Sequence, residues 1–232
     1  MSELDVIKSI AKQALTIHTA SGELDNFLWD RVQRLLCNAE HIRRLPEVAR
    51  TASEIDQFCL TTATYFSDTG LACHLQARKT AAVLVKSDIE DRELLDFSTQ
   101  VVTEKLADII EKSKIEKINR IITESGDHFT QTAEAMILSD ARNLDDMGVT
   151  GIFNEFRRLV ADGKGLCDAV QSWERKVDYR YWQARLKKSF RFEQVRRLAE
   201  QRLSVAEQFM SQLKVETEAH DLRGLSVKSA FV

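Results

Sequence analysis

Apolar residues recur at the three-to-four-residue spacing of α-helices along almost the whole chain. A first helix is predicted over residues 3–19. Its predicted buried face is Val6, Ile10, Ala14 and Ile17. A second helix is predicted over residues 23–45, with apolar positions Phe27, Leu28, Val32, Leu35, Leu36 and Ile42. Pro46 ends it, because proline cannot continue a helix. The pattern predicts about nine or ten helices and no convincing strand.

Polar and glycine residues mark the expected helix ends. Residues 51–54 read as a capping box for a third helix that reaches residue 66, and residues 87–90 read as another before a helix ending near residue 106. Four glycines interrupt the apolar pattern and are interpreted as helix-terminating residues: Gly70, Gly126, Gly148 and Gly163.

The C-terminal part of the chain predicts one long helix, or two in line, over residues 177–218. Its apolar stripe is Val195, Leu198, Val205, Phe209, Met210 and Leu213. No repeat or linker interrupts the chain, so residues 1–232 are predicted to form one domain, with a core over about 20–165 and a helical extension over about 166–220. The predicted fold class is all-α: a multi-helix bundle with a long C-terminal helix.

Composition supports a soluble helical protein. The chain has 232 residues, 44% of them apolar, and a single proline. Its net charge is −3, so the overall charge of the protein does not favour binding to a polyanion. The four cysteines form no CxxC pair, which predicts reduced thiols. The charged N-terminus and the absence of an apolar run near 18 residues predict a cytoplasmic protein, neither secreted nor membrane-spanning.

Four segments, taken in order, resemble motifs of the bacterial HD-domain hydrolases. Residues 137–152 read ILSDARNLDDMGVTGI, close to the family's ILQDADRLDAIGAIGI, and residues 62–70 read TATYFSDTG against AALLHDIG. Residues 27–32, FLWDRV, stand at the HxxRV helix, and residues 195–202, VRRLAEQR, resemble the closing helix. The resemblance implies a helical fold in which two histidines and two aspartates hold a divalent metal.

Most of the metal ligands implied by that resemblance are replaced in this chain. Leu28 stands at the first histidine and Ser67 at the histidine of the His-Asp pair, whereas Asp68 is retained. Arg142 replaces the late aspartate, and Asp140 keeps the acid two residues before it. Leucine offers no lone pair, and one carboxylate cannot hold a catalytic metal. We therefore expect no metal and no cofactor.

The leading hypothesis is a non-catalytic HD-fold protein, a pseudoenzyme whose pocket is blocked or serves binding. The residues of this vestigial pocket are Leu28, Arg31, Ser67, Asp68, Asp140, Arg142 and Asp145. Its partner would be a small molecule, such as a nucleotide or phosphate ester, or a protein. A homodimer through the stripe of the final helix is an open alternative, although such a stripe is more often core.

Two other functions remain open. A rearranged phosphohydrolase site would need Asp68 and Asp140 together with His74 or His128. A nucleic-acid-binding adaptor would use residues 174–203, which hold ten basic residues against four acids with aromatic residues between them. The acidic net charge argues against nucleic acid.

Arg142 carries the sharpest structural expectation. If Asp68 is buried, the Arg142 guanidinium would face it and replace the charge of the lost metal. The alternative is that Arg142 points into solvent from its helix. Asp145 and Asp146 are expected to cap the helix or to form local ion pairs.

Overall fold

The computed structural model describes residues 2–18, 22–51, 55–77 and 90–224. These residues form an all-α bundle, as the sequence predicts. Its helices are α1 Glu3–Leu15, α2 Phe27–Arg43, α3 Pro46–Thr51, α4 Gln57–Phe66, α5 Thr69–Ala77, α6 Asp91–Leu106, α7 Lys112–Glu124, α8 Ala133–Asp145, α9 Gly148–Ala161, α10 Leu166–Asp178, α11 Tyr181–Ser189 and α12 Glu193–Thr217. A 3-10 helix, His220–Gly224, ends the described chain, and two-residue strands β1 (Ile17–His18) and β2 (Leu24–Asp25) pair antiparallel.

Helix α2 begins at Phe27, later than predicted, because Leu24 and Asp25 belong to β2, and it packs along α8. Its fully buried residues include Leu28, Val32 and Leu35, which recur at helical spacing. Pro46 opens α3, where its fixed φ suits a first helical turn. The chain thereby turns sharply after α2 instead of extending it.

The first helix buries a different face from the predicted one. Ile7, Ala11 and Leu15 are buried, whereas Val6 and Ile10 are only half-buried. The helix also ends at Leu15, and Ile17 belongs to β1. Val6, Ile10 and Ala14 each have an apolar neighbour one residue later, so periodicity alone cannot choose between the two faces.

The predicted helix ends agree with the structure at some positions and differ from it at others. Helix α4 begins at Gln57 with Asp56 as its cap, not at residue 51, and α6 begins at Asp91. The predicted capping boxes lie partly outside the described residues, at 52–54 and 87–89. Gly126 and Gly163 follow helices as predicted, whereas Gly148 is the first residue of α9 and Gly70 lies inside α5.

Gly70 marks a close approach between two helices. A Cβ atom there would lie 2.0 Å from the Leu94 carbonyl oxygen of α6. The Gly70 amide donates to the Ser98 hydroxyl at 2.9 Å, and that hydroxyl donates to the Ser67 carbonyl at 3.3 Å. Glycine is therefore required by packing, and it fixes the turn between α4 and α5 against α6.

The segment predicted as one long helix or two in line, residues 177–218, contains the two helices α11 and α12 after the last two residues of α10. The chain turns between α10 and α11 at Arg180, which adopts the left-handed conformation with φ 52°. The residues of α12 that are buried are Val195, Ala199, Leu203, Ala206 and Met210. The other large apolar residues of the predicted stripe are more exposed, including Val205 at 52%. Phe192, Val195 and Leu203 join the same buried cluster as α1 to α8, so the extension packs onto the core.

None of the helices in the described ranges combines the length and the apolar character that crossing a lipid bilayer requires.

Candidate functional site

Asp68 lies in the turn between α4 and α5, and hydrogen bonds within this turn fix its position. Its carbonyl accepts from the Ala72 amide at 3.1 Å, so its backbone begins α5. Ser67 beside it donates its hydroxyl to the Thr64 carbonyl at 3.1 Å. The Asp68 side chain is only 1% exposed, so its negative charge requires a nearby partner.

Two arginines supply that partner. Arg31 of α2 donates from Nη1 to Asp68 Oδ2 at 2.7 Å, and Arg142 Nη2 of α8 lies 3.4 Å from Asp68 Oδ1. The predicted contact between Arg142 and Asp68 is therefore present, but Arg31 is the closer partner. The Arg31 side chain is 11% exposed and that of Arg142 is 27% exposed, so Arg31 holds the buried part of the cluster.

Arg31 also binds the two aspartates at the end of α8. Its Nε lies 3.3 Å from Asp145 Oδ2, and its Nη2 lies 3.1 Å from Asp146 Oδ1. Burial alone would lower the pKa of Arg31, but the charges of Asp68, Asp146 and Asp145 outweigh burial and raise that pKa. Arg31 is thus a fully charged hub that joins α2, the α4–α5 turn and the end of α8.

Arg34 and Arg185 complete the ion cluster. Arg34, one turn after Arg31, holds Asp145 through Nε at 2.7 Å and Nη2 at 3.2 Å. Arg185 of α11 donates to Asp146 at 2.7 Å. Burial would raise the pKa of Asp146, but Arg31, Arg185 and Arg142 hold the pKa below its usual value. The expectation of local ion pairs is wrong for both aspartates, because these partners lie on other helices, whereas Asp146 does cap the end of α8 through its backbone amide.

The arginines of the cluster also stabilise negative charge at the C-terminal end of α8. Asp145 and Asp146 sit at the C-terminus of α8, where the helix dipole disfavours negative charge. The arginines reverse that penalty, and Arg202 of α12 donates to the Leu144 carbonyl at 2.8 Å, which satisfies a terminal acceptor. Four arginines (Arg31, Arg34, Arg142 and Arg185) therefore face three aspartates (Asp68, Asp145 and Asp146), with one positive charge in excess.

Asp140 does not bind the cluster arginines; it anchors α12. Its fully buried carboxylate accepts from the Arg191 amide at 2.8 Å and the Phe192 amide at 3.0 Å. Burial raises the pKa of Asp140 to about 7, although both backbone hydrogen bonds act to lower it. Asp140 therefore has a structural partner in the chain between α11 and α12.

The remaining residues predicted for the pocket offer little to a metal. Leu28 is fully buried and apolar, and Ser67 uses its hydroxyl within α4. His128 is exposed, with its Nδ1 2.9 Å from Arg191 Nη1, and His74 is half-buried on α5. Across the parts of the chain that the structure describes, no three His, Cys, Asp or Glu side chains are grouped closely enough to hold a metal ion. The residues present do not fit the divalent metal centre of the HD hydrolases.

The basic stretch over 174–203 is divided among α10, α11 and α12, and most of it serves internal contacts. Lys176 pairs with Glu155 and Arg185 with Asp146. Arg196 and Arg197 both pair with Glu193. These ion pairs take up part of the positive charge of the stretch, whereas Arg175, Arg180, Lys187 and Lys188 are exposed.

Comparison with known proteins identifies the fold of this chain but assigns it to no family. Neither a family model nor a curated protein matches the chain. The solved structure of Bacillus subtilis YpgQ matches with a TM-score of 0.60 and 22% identity over 93% of this chain and 97% of that chain.

The chain has the fold of YpgQ. The structure of YpgQ in complex with ADP matches with a TM-score of 0.57 and 21% identity, over 91% of this chain and 96% of that chain. A Lactobacillus plantarum protein matches with a TM-score of 0.57 and 16% identity over 94% and 97%. At these identities, the similarity to YpgQ establishes the helical fold alone.

Proposed function

We propose that this chain is a non-catalytic relative of the HD-domain hydrolases that binds a phosphate-bearing ligand, such as a nucleotide, without hydrolysing it. One observation carries the proposal. Asp68, the one metal ligand that the family motifs retain, is held by Arg31 at 2.7 Å and Arg142 at 3.4 Å. Both carboxylate oxygens therefore face guanidinium groups, which provide the positive charge that a metal would otherwise supply.

Replacement of the metal ion by guanidinium groups would remove the ability to hydrolyse the ligand. In a metal-dependent hydrolase, the ion lowers the pKa of bound water and so generates the nucleophile. A guanidinium group keeps its proton near neutral pH, so it can attract a phosphate but cannot produce hydroxide. Arg31 and Arg142 would therefore support binding without turnover.

The ligand class follows from the charge and exposure of the cluster. The arginines exceed the aspartates by one, and Arg142 is the arginine whose contact with Asp68 is long, at 3.4 Å. Its side chain is 27% exposed, which leaves donor groups accessible from solvent. A phosphate oxyanion would neutralise the excess charge, and guanidinium groups suit it geometrically. The ADP complex of YpgQ supports a nucleotide as the first ligand to test.

Thermal unfolding with ADP, inorganic pyrophosphate and adenosine tests binding. At a ligand concentration about 100 times Kd, binding stabilises the native state by about 2.7 kcal/mol. For a chain of this size, that corresponds to a rise in Tm of about 5–10 °C. ADP and pyrophosphate should raise Tm, whereas adenosine, which has no phosphate, should not. Arg142→Gln should remove the rise, and Arg175→Gln, at an exposed position of α10, should preserve it.

Turnover is measured on the same samples. Release of phosphate from ADP with Mn²⁺ or Mg²⁺ should not exceed that of a no-protein control. Metal-dependent release that disappears in Asp68→Asn would overturn the non-catalytic assignment. Equal Tm values with and without ADP and pyrophosphate would overturn the phosphate ligand.

A further inference from the structure

Helix α9 presents a row of large apolar side chains to solvent. Val149 is 46% exposed, Phe153 63% and Val160 71%, and Phe156 between them is half-buried. Their spacing of four, three and four residues places all four on one side of the helix, as in the seam of a coiled coil. Contiguous exposed apolar surface of this kind typically marks an interaction site.

Two charged residues of α9, Glu155 and Arg157, pair with other elements of the chain instead. Glu155 pairs with Lys176 of α10 at 2.8 Å and, within α9, with Arg158 at 2.9 Å. Arg157 pairs with Asp25 of β2. A surface helix normally turns its charged side to water and its apolar side to the core. In α9, the charged side chains are engaged internally while the apolar row stays exposed, so the helix has the pattern of one with a second packing partner.

The apolar row has a symmetry of its own. Its sizes read Val149, Phe153, Phe156, Val160, and the spacing is the same in both directions. Two such helices running antiparallel about a two-fold axis would place Phe153 against Phe156 and Val149 against Val160. An isologous interface requires a surface that is complementary to itself, and this order of sizes meets the requirement. Antiparallel packing also opposes the two helix dipoles favourably.

We propose that a second copy of this chain covers α9, with the two α9 helices packed antiparallel across a two-fold axis. The row contains no charged group that would select an acidic or basic partner, and its size order matches its own reverse. Val205 and Phe209 of α12 extend the apolar surface, with the Phe209 ring 6.3 Å from the Phe156 ring.

The size of this surface sets the strength of the dimer. An aromatic side chain buries roughly 150–250 Å² when fully covered, so these half-exposed residues supply a few hundred Å² per protomer. Standard interfaces bury about 800 Å² per partner. The dimer should therefore be reversible and depend on protein concentration.

Sedimentation velocity from about 1 to about 200 µM protein tests the dimer, because mass action moves the equilibrium across that range. The parent chain should shift from monomer to dimer as concentration rises. Phe153→Asp should weaken association at least tenfold. Phe129→Asp is the matched control, because Phe129 is 88% exposed and lies outside α9. A parent chain that stays monomeric, or equal association by both variants, would refute the interface.

Cysteine cross-linking tests whether the two α9 helices run antiparallel. It also tests the interface independently of Phe153→Asp, in case that variant is unstable. The exposed thiols Cys37, Cys73 and Cys167 are first replaced by serine. A mixture of Val149→Cys and Val160→Cys proteins should form a mixed disulfide faster than either protein forms its own, since disulfides need Cα atoms within about 7 Å. Faster self-linking of either variant would contradict the antiparallel arrangement, as would the absence of any cross-link.

Discussion

The hub role of Arg31 predicts that its loss destabilises the fold more than the loss of any other cluster arginine. In Arg31→Met, an apolar chain of similar length replaces the guanidinium. Asp68, 1% exposed, then keeps only the longer contact with Arg142. Asp145, 2% exposed, keeps only Arg34. Two buried carboxylates thus lose their shared cation without access to water.

Breaking a buried ion pair on one side costs about 3–5 kcal/mol, because the remaining charge is left uncompensated. Domains are commonly stable by about 5–15 kcal/mol, so Arg31→Met should stay folded at low temperature. For a chain of this size, Tm should fall by about 10 °C. Urea unfolding, followed by circular dichroism of the helical signal, gives the free energy of unfolding directly.

Two comparisons separate this mechanism from a general packing defect. Arg31→Met with Asp68→Asn should recover part of the loss, because one of the stranded charges is removed with its partner. Arg142→Ala should cost only about 1–2 kcal/mol, since its 3.4 Å contact is long and its side chain is partly exposed. An Arg31→Met protein as stable as the parent would show that Arg31 does not hold the cluster together, as would a double variant less stable than Arg31→Met alone.

Two further predictions concern other parts of the fold. Because burial raises the pKa of Asp140 to about 7, the folded state binds that proton more tightly than the unfolded chain, so this group lowers stability as pH rises from about 4 to about 7. The free energy of unfolding of Asp140→Asn relative to the parent should therefore rise over that window, by at most about 4 kcal/mol; a difference independent of pH in urea titrations would contradict the prediction. Gly70→Ala should cost about 3 kcal/mol or more, because its Cβ would lie 2.0 Å from the Leu94 carbonyl oxygen; a Tm unchanged from the parent would show that α5 and α6 separate freely.

The sequence predicts the all-α fold class and the buried face of α2, because the apolar pattern of that helix is unambiguous. Helix α2 has a single apolar stripe, and a proline follows it, so one face and one end are defined. Helix α1 has two adjacent apolar stripes, and the choice of Ile7 over Val6 depends on which neighbours it meets. The break at Arg180 is marked by neither glycine nor proline, so local sequence gave no signal for it.

The candidate site was predictable in part. The contact between Arg142 and Asp68 follows from the motif positions and is present. The position of Arg34, one turn after Arg31, was an available signal for a shared partner. Arg185 could not be found in this way, because it reaches Asp146 from α11 across 39 residues of sequence. Likewise, the bond of Asp140 to the Arg191 and Phe192 amides arises only from tertiary packing.

Titration of the purified protein with Mn²⁺, followed by the electron paramagnetic resonance signal of the free ion, measures whether Asp68 binds a metal. The parent chain and Asp68→Asn should remove the same small amount of free Mn²⁺, since Arg31 and Arg142 already occupy the Asp68 carboxylate. One Mn²⁺ bound per parent chain, and none bound by Asp68→Asn, would mean that Asp68 is a metal ligand and that the arginines do not replace the ion.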